Sequence, residues 1–334
     1  MKEWILVTGG AGYIGTNVVN LLARAGENVI VVDNFSNCVR SHIDTVCKLH
    51  KGRVVVKAVD LLDDYEMKKI FEKFHIKTVV HLAGKKYVSE SETKRDAYYK
   101  NNILATDKLL SLISNYGVGN LVFSSSITVY GNAKTVPVDE SAPFQPISYY
   151  AETKVEGEKM IKSWTSHTKG AGAGILRLAN PVGAGPFMLG DENLSGMKAV
   201  VPYLVDCVLD GKSITINGNT HATKDGTAIR DYVHVEDIAA SFVAACVLDK
   251  NGMEVFNIGR GGEGYSVLDL VKTIEDVVGT PLAVEFGPRR EGDVSVFVAN
   301  NKKMIKGLQV TPTKDLTEMV KSQYEFSKNL RQEK

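Results

Sequence analysis

Long apolar runs, clustered cysteines and an excess of one charge are all missing from this chain of 334 residues. No uninterrupted apolar stretch approaches the ~18 residues that a membrane-spanning helix needs, so no membrane partner is expected. The first apolar run, residues 4–8, has the length of a strand and leads straight into glycines, unlike a secretory signal. The four cysteines, Cys38, Cys47, Cys207 and Cys246, form no C-x-x-C pair and are too sparse for a disulfide framework. Reduced thiols in the cytoplasm are the simplest account. The seven histidines are scattered without H-E-x-x-H or similar spacing, so no metal site is expected. With 40 basic and 39 acidic residues the formal net charge is +1, which argues against nucleic acid or an anionic surface as partner.

What is present is an alternation. Strand-length apolar runs at 4–8, 28–33, 53–59, 78–82, 120–124 and 173–179 are separated by amphipathic stretches near 13–25, 38–49, 63–74, 95–116 and 148–168. Near-continuous Val/Ile/Leu strands between helices predict an α/β fold, a doubly wound parallel sheet of Rossmann type covered on both faces. After Asn180-Pro181 the texture changes. Residues 181–196 read as loop, 213–218 and 283–286 as short strands, and 235–248 and 266–278 as helices. The segments 235–248 and 255–258 are apolar enough to rejoin the main sheet. A nucleotide-binding domain over 1–180, with 231–260 rejoining it, is therefore expected. The segments 181–230 and 261–334 would form a smaller, interleaved α/β substrate lobe.

Three groups of residues carry chemistry. Gly9-Gly10-Ala11-Gly12-Tyr13-Ile14-Gly15 follows the first strand and opens the first helix, and this G-x-x-G-x-x-G spacing lets backbone approach a pyrophosphate at the positive helix end. The second strand ends in Asp33, 18 residues after Gly15, where a carboxylate binds ribose hydroxyls and repels a 2′-phosphate. NAD is thus favoured over NADP. Asp60, ending the third strand, is placed to touch adenine or to serve as a turn acid. Lastly, Tyr150 and Lys154 fall four apart in a helical stretch, on one face. At ~4 Å and an effective dielectric of ~20 a lysine charge stabilises phenolate by ~4 kcal/mol, roughly three pKa units. That would make Tyr150 a general base for a sugar hydroxyl.

In this order the glycine loop, Asp33, Ser124-Ser125-Ser126 and the Tyr150/Lys154 pair resemble the extended short-chain dehydrogenase/reductase family. Further segments narrow the likeness to its UDP-hexose 4-epimerase branch: His81-Leu82-Ala83-Gly84-Lys85-Lys86, Tyr98-Tyr99-Lys100-Asn101-Asn102, Asn180-Pro181-Val182-Gly183-Ala184, Asp225-Gly226-Thr227-Ala228-Ile229-Arg230-Asp231-Tyr232 and Arg289-Arg290-Glu291-Gly292-Asp293. The resemblance implies reversible inversion at C4 of UDP-glucose and UDP-galactose. Ser126 would hydrogen-bond the reacting O4 region, Tyr150 would exchange its proton, and Lys154 would hold the nicotinamide ribose. Ala83, Lys86, Asn101 and Ser124 would line the cofactor site, with Asn34 and Leu61 beside the two acids. Asn180, Arg230, Arg290 and Asp293 would hold the UDP group, with Lys86 also near the sugar. A homodimer through helices at 95–116 and 150–168 is implied as well.

The chain departs from the family pattern at Ala179, Ala199 and Asn217, all expected near the UDP group. Phe297 stands where relatives often carry tyrosine, and a bulky group there leans the reading toward plain hexoses. UDP-N-acetylglucosamine is the alternative substrate. Ile127-Thr128 replaces the acidic pair that dehydrating relatives need, which argues against elimination of water.

Overall fold

Seven strands, the inner ones buried and rich in Val, Ile and Leu, assemble into one parallel sheet, and the computed structural model describes residues 2–187, 189–191, 199–248, 251–289 and 293–332. The first half alternates strands and helices. It begins β1 (Glu3–Thr8), α1 (Tyr13–Arg24), β2 (Val29–Asp33), α2 (Arg40–Leu49), β3 (Val54–Ala58), α3 (Asp64–Lys73) and β4 (His75–His81). It continues through α4 (Val88–Thr93), α5 (Arg95–Tyr98), a π-turn at Tyr99–Leu104 and α6 (Ala105–Asn115). Then come β5 (Asn120–Ser126), a 3-10 turn at Ile127–Tyr130, α7 (Tyr149–His167) and β6 (Gly172–Leu178).

The second half opens with β7 (Asn180–Val182), α8 (Val200–Leu209), β8 (Ile214–Asn217), β9 (Ile229–Arg230) and β10 (Tyr232–His234). It continues with α9 (Val235–Ala245), β11 (Gly252–Ile258), β12 (Tyr265–Ser266), α10 (Val267–Val278) and β13 (Val284–Gly287). It ends with β14 (Val296–Phe297), α11 (Lys302–Leu308) and α12 (Leu316–Gln332).

The sheet order is β11-β6-β5-β4-β1-β2-β3, and every pairing in it is parallel. The order reverses between β1 and β4, which opens a crevice at their carboxyl ends. β11 joins the edge beside β6, and α9 packs on α1. The remaining strands are short. β7 pairs with β10, β8 with β13, and β9 lies between β12 and β14. A separate apolar cluster, with Val201, Leu204, Ile216, Ile274 and Met319 among its members, gathers α8, α10 and α12 around them. No helix among the described residues is long and apolar enough to cross a membrane.

One expectation changes and another is refined. The stretch 181–196 is not loop throughout, because Pro181 and Val182 pair with Val233 and His234 in a parallel ladder. Residues 188 and 192–196 of this stretch lie outside the described residues. Residues 95–115 are helical throughout, as expected, with a π-helical stretch at Tyr99–Leu104 inside the run. The wide π-turn breaks the 3.6 period and turns buried Asn102 inward, where its side chain receives the Lys85 amide at 2.8 Å and donates to the Lys85 carbonyl at 3.0 Å.

Candidate active site

The glycine loop is shaped by backbone crowding. Gly9 has φ +67°, and a Cβ there would lie 2.6 Å from the Ala83 amide nitrogen. A Cβ on Gly15 would lie 2.2 Å from the Gly9 carbonyl. Gly12 starts α1 without a side-chain cap, and the first turn carries no acid. Its first N–H groups are thus left for a ligand, with the positive end of the helix dipole behind them. Asp33 accepts from the Ala11 amide at 3.1 Å and the Phe35 amide at 2.9 Å, tying the end of β2 to this loop. Asp60 is engaged as a turn acid, taking Leu62 N–H at 2.9 Å and Asn34 Nδ2 at 2.8 Å. A cradle that side chains would fill, an uncapped helix and a carboxylate at the second strand together fit the diphosphate and ribose of NAD.

Tyr150 is held by the start of α7. Ser148 caps the helix through the Ala151 amide at 3.2 Å, Ser91 accepts from the Tyr150 amide at 3.0 Å, and Glu92 accepts from the Tyr149 amide at 2.7 Å. Three orphan N–H groups of the first turn are satisfied, two of them by α4, which locks the helix entry. Ser126, ending β5, hydrogen-bonds the Tyr150 side chain. Burial pushes the Tyr150 phenol up to about 12, with that bond to Ser126 acting against it.

The expected direct effect of Lys154 on the phenol is not what the geometry gives. The shared helix face brings the two Cβ atoms together, but the long lysine stem turns its ammonium to the Ser124 carbonyl at 2.8 Å, 5.8 Å from the tyrosine ring centre. Burial lowers Lys154 to about 8, opposed by Glu158.

Behind this pair His81 joins three elements. Its ring nitrogens meet Thr8 Oγ1 at 2.7 Å and Thr106 Oγ1 at 3.0 Å, and burial together with the Lys154 charge holds it at about 3. Lys86 reaches Asp191 at 3.1 Å. Partial desolvation of this half-exposed lysine works against its ammonium, but Asp191 and Tyr87 together more than offset it, leaving its pKa raised. Asn101 donates to the Ala97 carbonyl at 2.8 Å.

Across the crevice, Asn180 uses both its amide N–H and Nδ2 on the Asp231 carbonyl, at 3.0 and 2.9 Å. Arg230 forms an ion pair with Asp293, not with neighbouring Asp225 or Asp231. Asp225 instead takes Thr227 and Ser266, and Asp231 takes the amides of Arg260, Gly261 and Ala299.

One cavity of about 1350 Å³ gathers these groups. Gly9, Gly12, Tyr13, Ile14, Gly15, Asp33, Asn34, Asp60, Leu61 and Ala83 line its cofactor side; Lys86, Asn101, Ser124, Ser126, Tyr150 and Lys154 line its middle; Asn180, Arg230 and Asp293 line the far side. This exceeds the ~1,000 Å³ upper range of ordinary ligand pockets, in keeping with room for two ligands. Ala179, Ala199 and Asn217 line it too. Phe297 does not. It is 8% exposed and belongs to the main apolar core, so its bulk says nothing direct about the space for a sugar. Arg290 lies outside the described residues. Sequence reading overlooked Ser91, Glu92, His81 and Asn102 as positioning groups. His81 and Asn102 had a signal, each standing in a segment already singled out, whereas Ser91 and Glu92 had none.

Known proteins share both sequence and fold with the chain. UDP-glucose 4-epimerase 2 of Arabidopsis thaliana is 36% identical over 98% of this chain and 96% of its own length. The crystal structure of UDP-glucose 4-epimerase from Bifidobacterium longum, in complex with NAD+ and UDP, superposes with a TM-score of 0.92 at 33% identity, covering 98% of both chains. That of UDP-glucose-4-epimerase from Stenotrophomonas maltophila, with bound NAD and formylated UDP-arabinopyranose, gives 0.94 at 31% identity over 99% of both. With a family model also matching residues 5–259, the chain belongs to the NAD dependent epimerase/dehydratase family.

Proposed function

We propose that the chain interconverts UDP-glucose and UDP-galactose by inverting C4 of the hexose. The observation that carries this reading is the convergence, in one cavity, of the Ser126/Tyr150/Lys154 group with an NAD-shaped cradle and the Arg230/Asp293 pair. The named activity of the relatives supports it. Bound NAD supplies a reversible hydride acceptor, so that C4 passes through a ketone and returns with either configuration.

The chain's own residues do the rest. Gly9, Gly12 and Gly15 admit the pyrophosphate to the start of α1, Asp33 takes ribose hydroxyls, and Lys86 and Asn101 border the sugar and nicotinamide region. Tyr150 takes the O4 proton and gives it back, with Ser126 sharing the hydrogen bond to the same oxygen. Burial raises the phenol, so its ionised form is the stronger base toward O4 and the transfer back to the substrate is the uphill step. Lys154, held by the Ser124 carbonyl, brings positive charge to within 5.8 Å of the Tyr150 ring centre and holds the ribose next to the nicotinamide. Arg230 suits a diphosphate because its planar fork makes paired charge-assisted bonds, and Asp293 is an acceptor for the uridine ribose. Anchoring at this remote group keeps the ketone bound while the sugar turns over.

The test is incubation of the purified chain with UDP-galactose and no added cofactor, following UDP-glucose. Formation of UDP-glucose supports substrate, reaction and retained NAD together; an unchanged sugar with NAD present sinks the reading. UDP-N-acetylglucosamine assayed alongside ranks the alternative substrate. A cytoplasmic homodimer pairing through α5, α6 and α7 completes the proposal, and sedimentation at micromolar concentration tests the pairing.

A further inference from the structure

Tyr150, Lys154 and Glu158 stand at i, i+4 and i+8 of α7, so they share one buried face turned toward β5. Three consecutive serines meet them. Ser126 bonds Tyr150, the Ser124 carbonyl accepts from Lys154 at 2.8 Å, and Ser125 Oγ donates to Glu158 Oε1 at 2.5 Å. Glu158 is 1% exposed, which a carboxylate almost never is unless paired, and the reaction as written above leaves it without a task. Its pairing partner is Arg177 of β6, whose Nε and Nη2 reach Oε1 and Oε2 at 2.9 and 2.7 Å. A buried pair of this kind is weak evidence for added stability, since apolar residues of similar volume often do as well. Arg177 contacts this anion directly, and Lys154 stands one helical turn before it on the same buried face of α7.

Resting on the assignment of Tyr150 and Lys154 made above, we propose that Glu158 is a positioning residue. It is the counter-ion shared between Lys154 and Arg177, and the division of its charge decides whether the lysine beneath Tyr150 stays an ammonium.

The groups around Lys154 leave this role to Glu158. Burial drives Lys154 down to about 8, and Glu158 is the carboxylate that pulls the other way. From β4, His81 is held neutral to about 3 by burial and by Lys154 itself. From β5, Phe123 offers its ring at 5.1 Å from the ammonium. Tyr150 on the same helix keeps its proton to about 12. Around Arg177, Nη1 donates to Tyr130 at 2.6 Å and to the Glu140 carbonyl at 3.1 Å. Burial pushes the Tyr130 phenol up to about 12 against the pull of Arg177, so it adds no negative charge at neutral pH. The Glu140 carboxylate is turned to the Asn257 amide at 2.8 Å.

The experiment titrates Lys154 in the intact, purified protein. Lysine labelled with 13C at Cε is followed by NMR, the resonance being assigned by its loss in Lys154→Arg, and the pH dependence of UDP-galactose conversion is recorded in parallel. Glu158→Gln should lower the lysine midpoint and the alkaline limb of activity by about one pH unit or more. Arg177→Met, which leaves the carboxylate to Lys154 alone, should raise both. Midpoints that stay put, or that move in the same direction in the two variants, overturn the proposal. A purely structural salt bridge would change melting temperature and leave the lysine midpoint where it was. Should Arg177→Met fail to fold, Glu158→Gln alone decides, an unmoved midpoint being fatal. A chain whose lysine shifts as expected while every UDP-sugar stays unchanged supports the charge sharing and sinks only the activity.

Discussion

The two sides of the cavity are built by opposite means. On the cofactor side, long strands of a seven-stranded sheet end at Thr8, Asp33, His81 and Ser126, and each end carries a group that faces the crevice or braces it. Position there comes from ladders and from backbone so crowded that a single Cβ does not fit. On the far side, Arg230 sits on a two-residue strand and Asp293 on a loop, and they are held chiefly by each other. The glycine-loop side is thus fixed by its backbone, whereas Arg230 and Asp293 of the opposing clamp are fixed by pairing their charges with each other.

The largest test falls between the two sides. Tyr150→Phe should cut turnover by about a thousandfold, in the range for loss of a general acid-base group, while NAD and UDP still bind. Activity within tenfold of the parent would remove Tyr150 from the chemistry.

Substitutions on each side should then separate cleanly. Gly15→Ala drives a methyl into the Gly9 carbonyl, so both NAD affinity and stability should fall, the latter by about 1–3 kcal/mol, read by cofactor titration and by chemical denaturation. Arg230→Leu should weaken UDP by about 10- to 100-fold through loss of charged hydrogen bonds, with NAD affinity and melting temperature nearly unchanged. A parallel loss of NAD by calorimetry would show that the clamp is not independent of the cradle.

A last test concerns acid. His81 has a folded pKa of about 3 against 6.5 in the unfolded chain, because burial and Lys154 oppose its charge. Above pH 6.5 both states are neutral there, and below it only the unfolded chain takes the proton. Stability is thus lost as pH falls from 6.5 toward 3, by roughly 1.4 kcal/mol per unit for that one group. His234, lowered to about 4 by burial and Lys314, works in the same sense nearer the lobe. Urea unfolding between pH 7 and 5 should show a steep slope that His81→Gln flattens. An unchanged slope would shift the acid sensitivity to the seam around His234.

The same contrast governs how much was legible from sequence. Strands buried on both faces announce themselves as apolar runs, and the glycine spacing and Asp33 follow from chemistry close in sequence. Tyr150 and Lys154 were legible as a helical pair, yet the turn of the ammonium toward Ser124 depends on a strand brought up by the fold. Ser91 and Glu92 cap a helix more than fifty residues away, a service that no local pattern encodes. β9, β12 and β14 are two residues each, too short for any period to register. α12 spreads its buried Met319, Val320 and Phe326 thinly among charged neighbours, so its stripe was missed. Arg230 and Asp293 stood in separate motifs, and only the folded chain shows that they meet.

The return of β11 to the sheet has a practical consequence for dissection. A fragment ending after β6 would leave that strand as a bare hydrogen-bonding edge, with the apolar flank of α1 uncovered where α9 packs, and such edges recruit other chains. Grafting a foreign sugar-recognition region onto this scaffold therefore demands two splices on either side of α9 and β11, never a single cut.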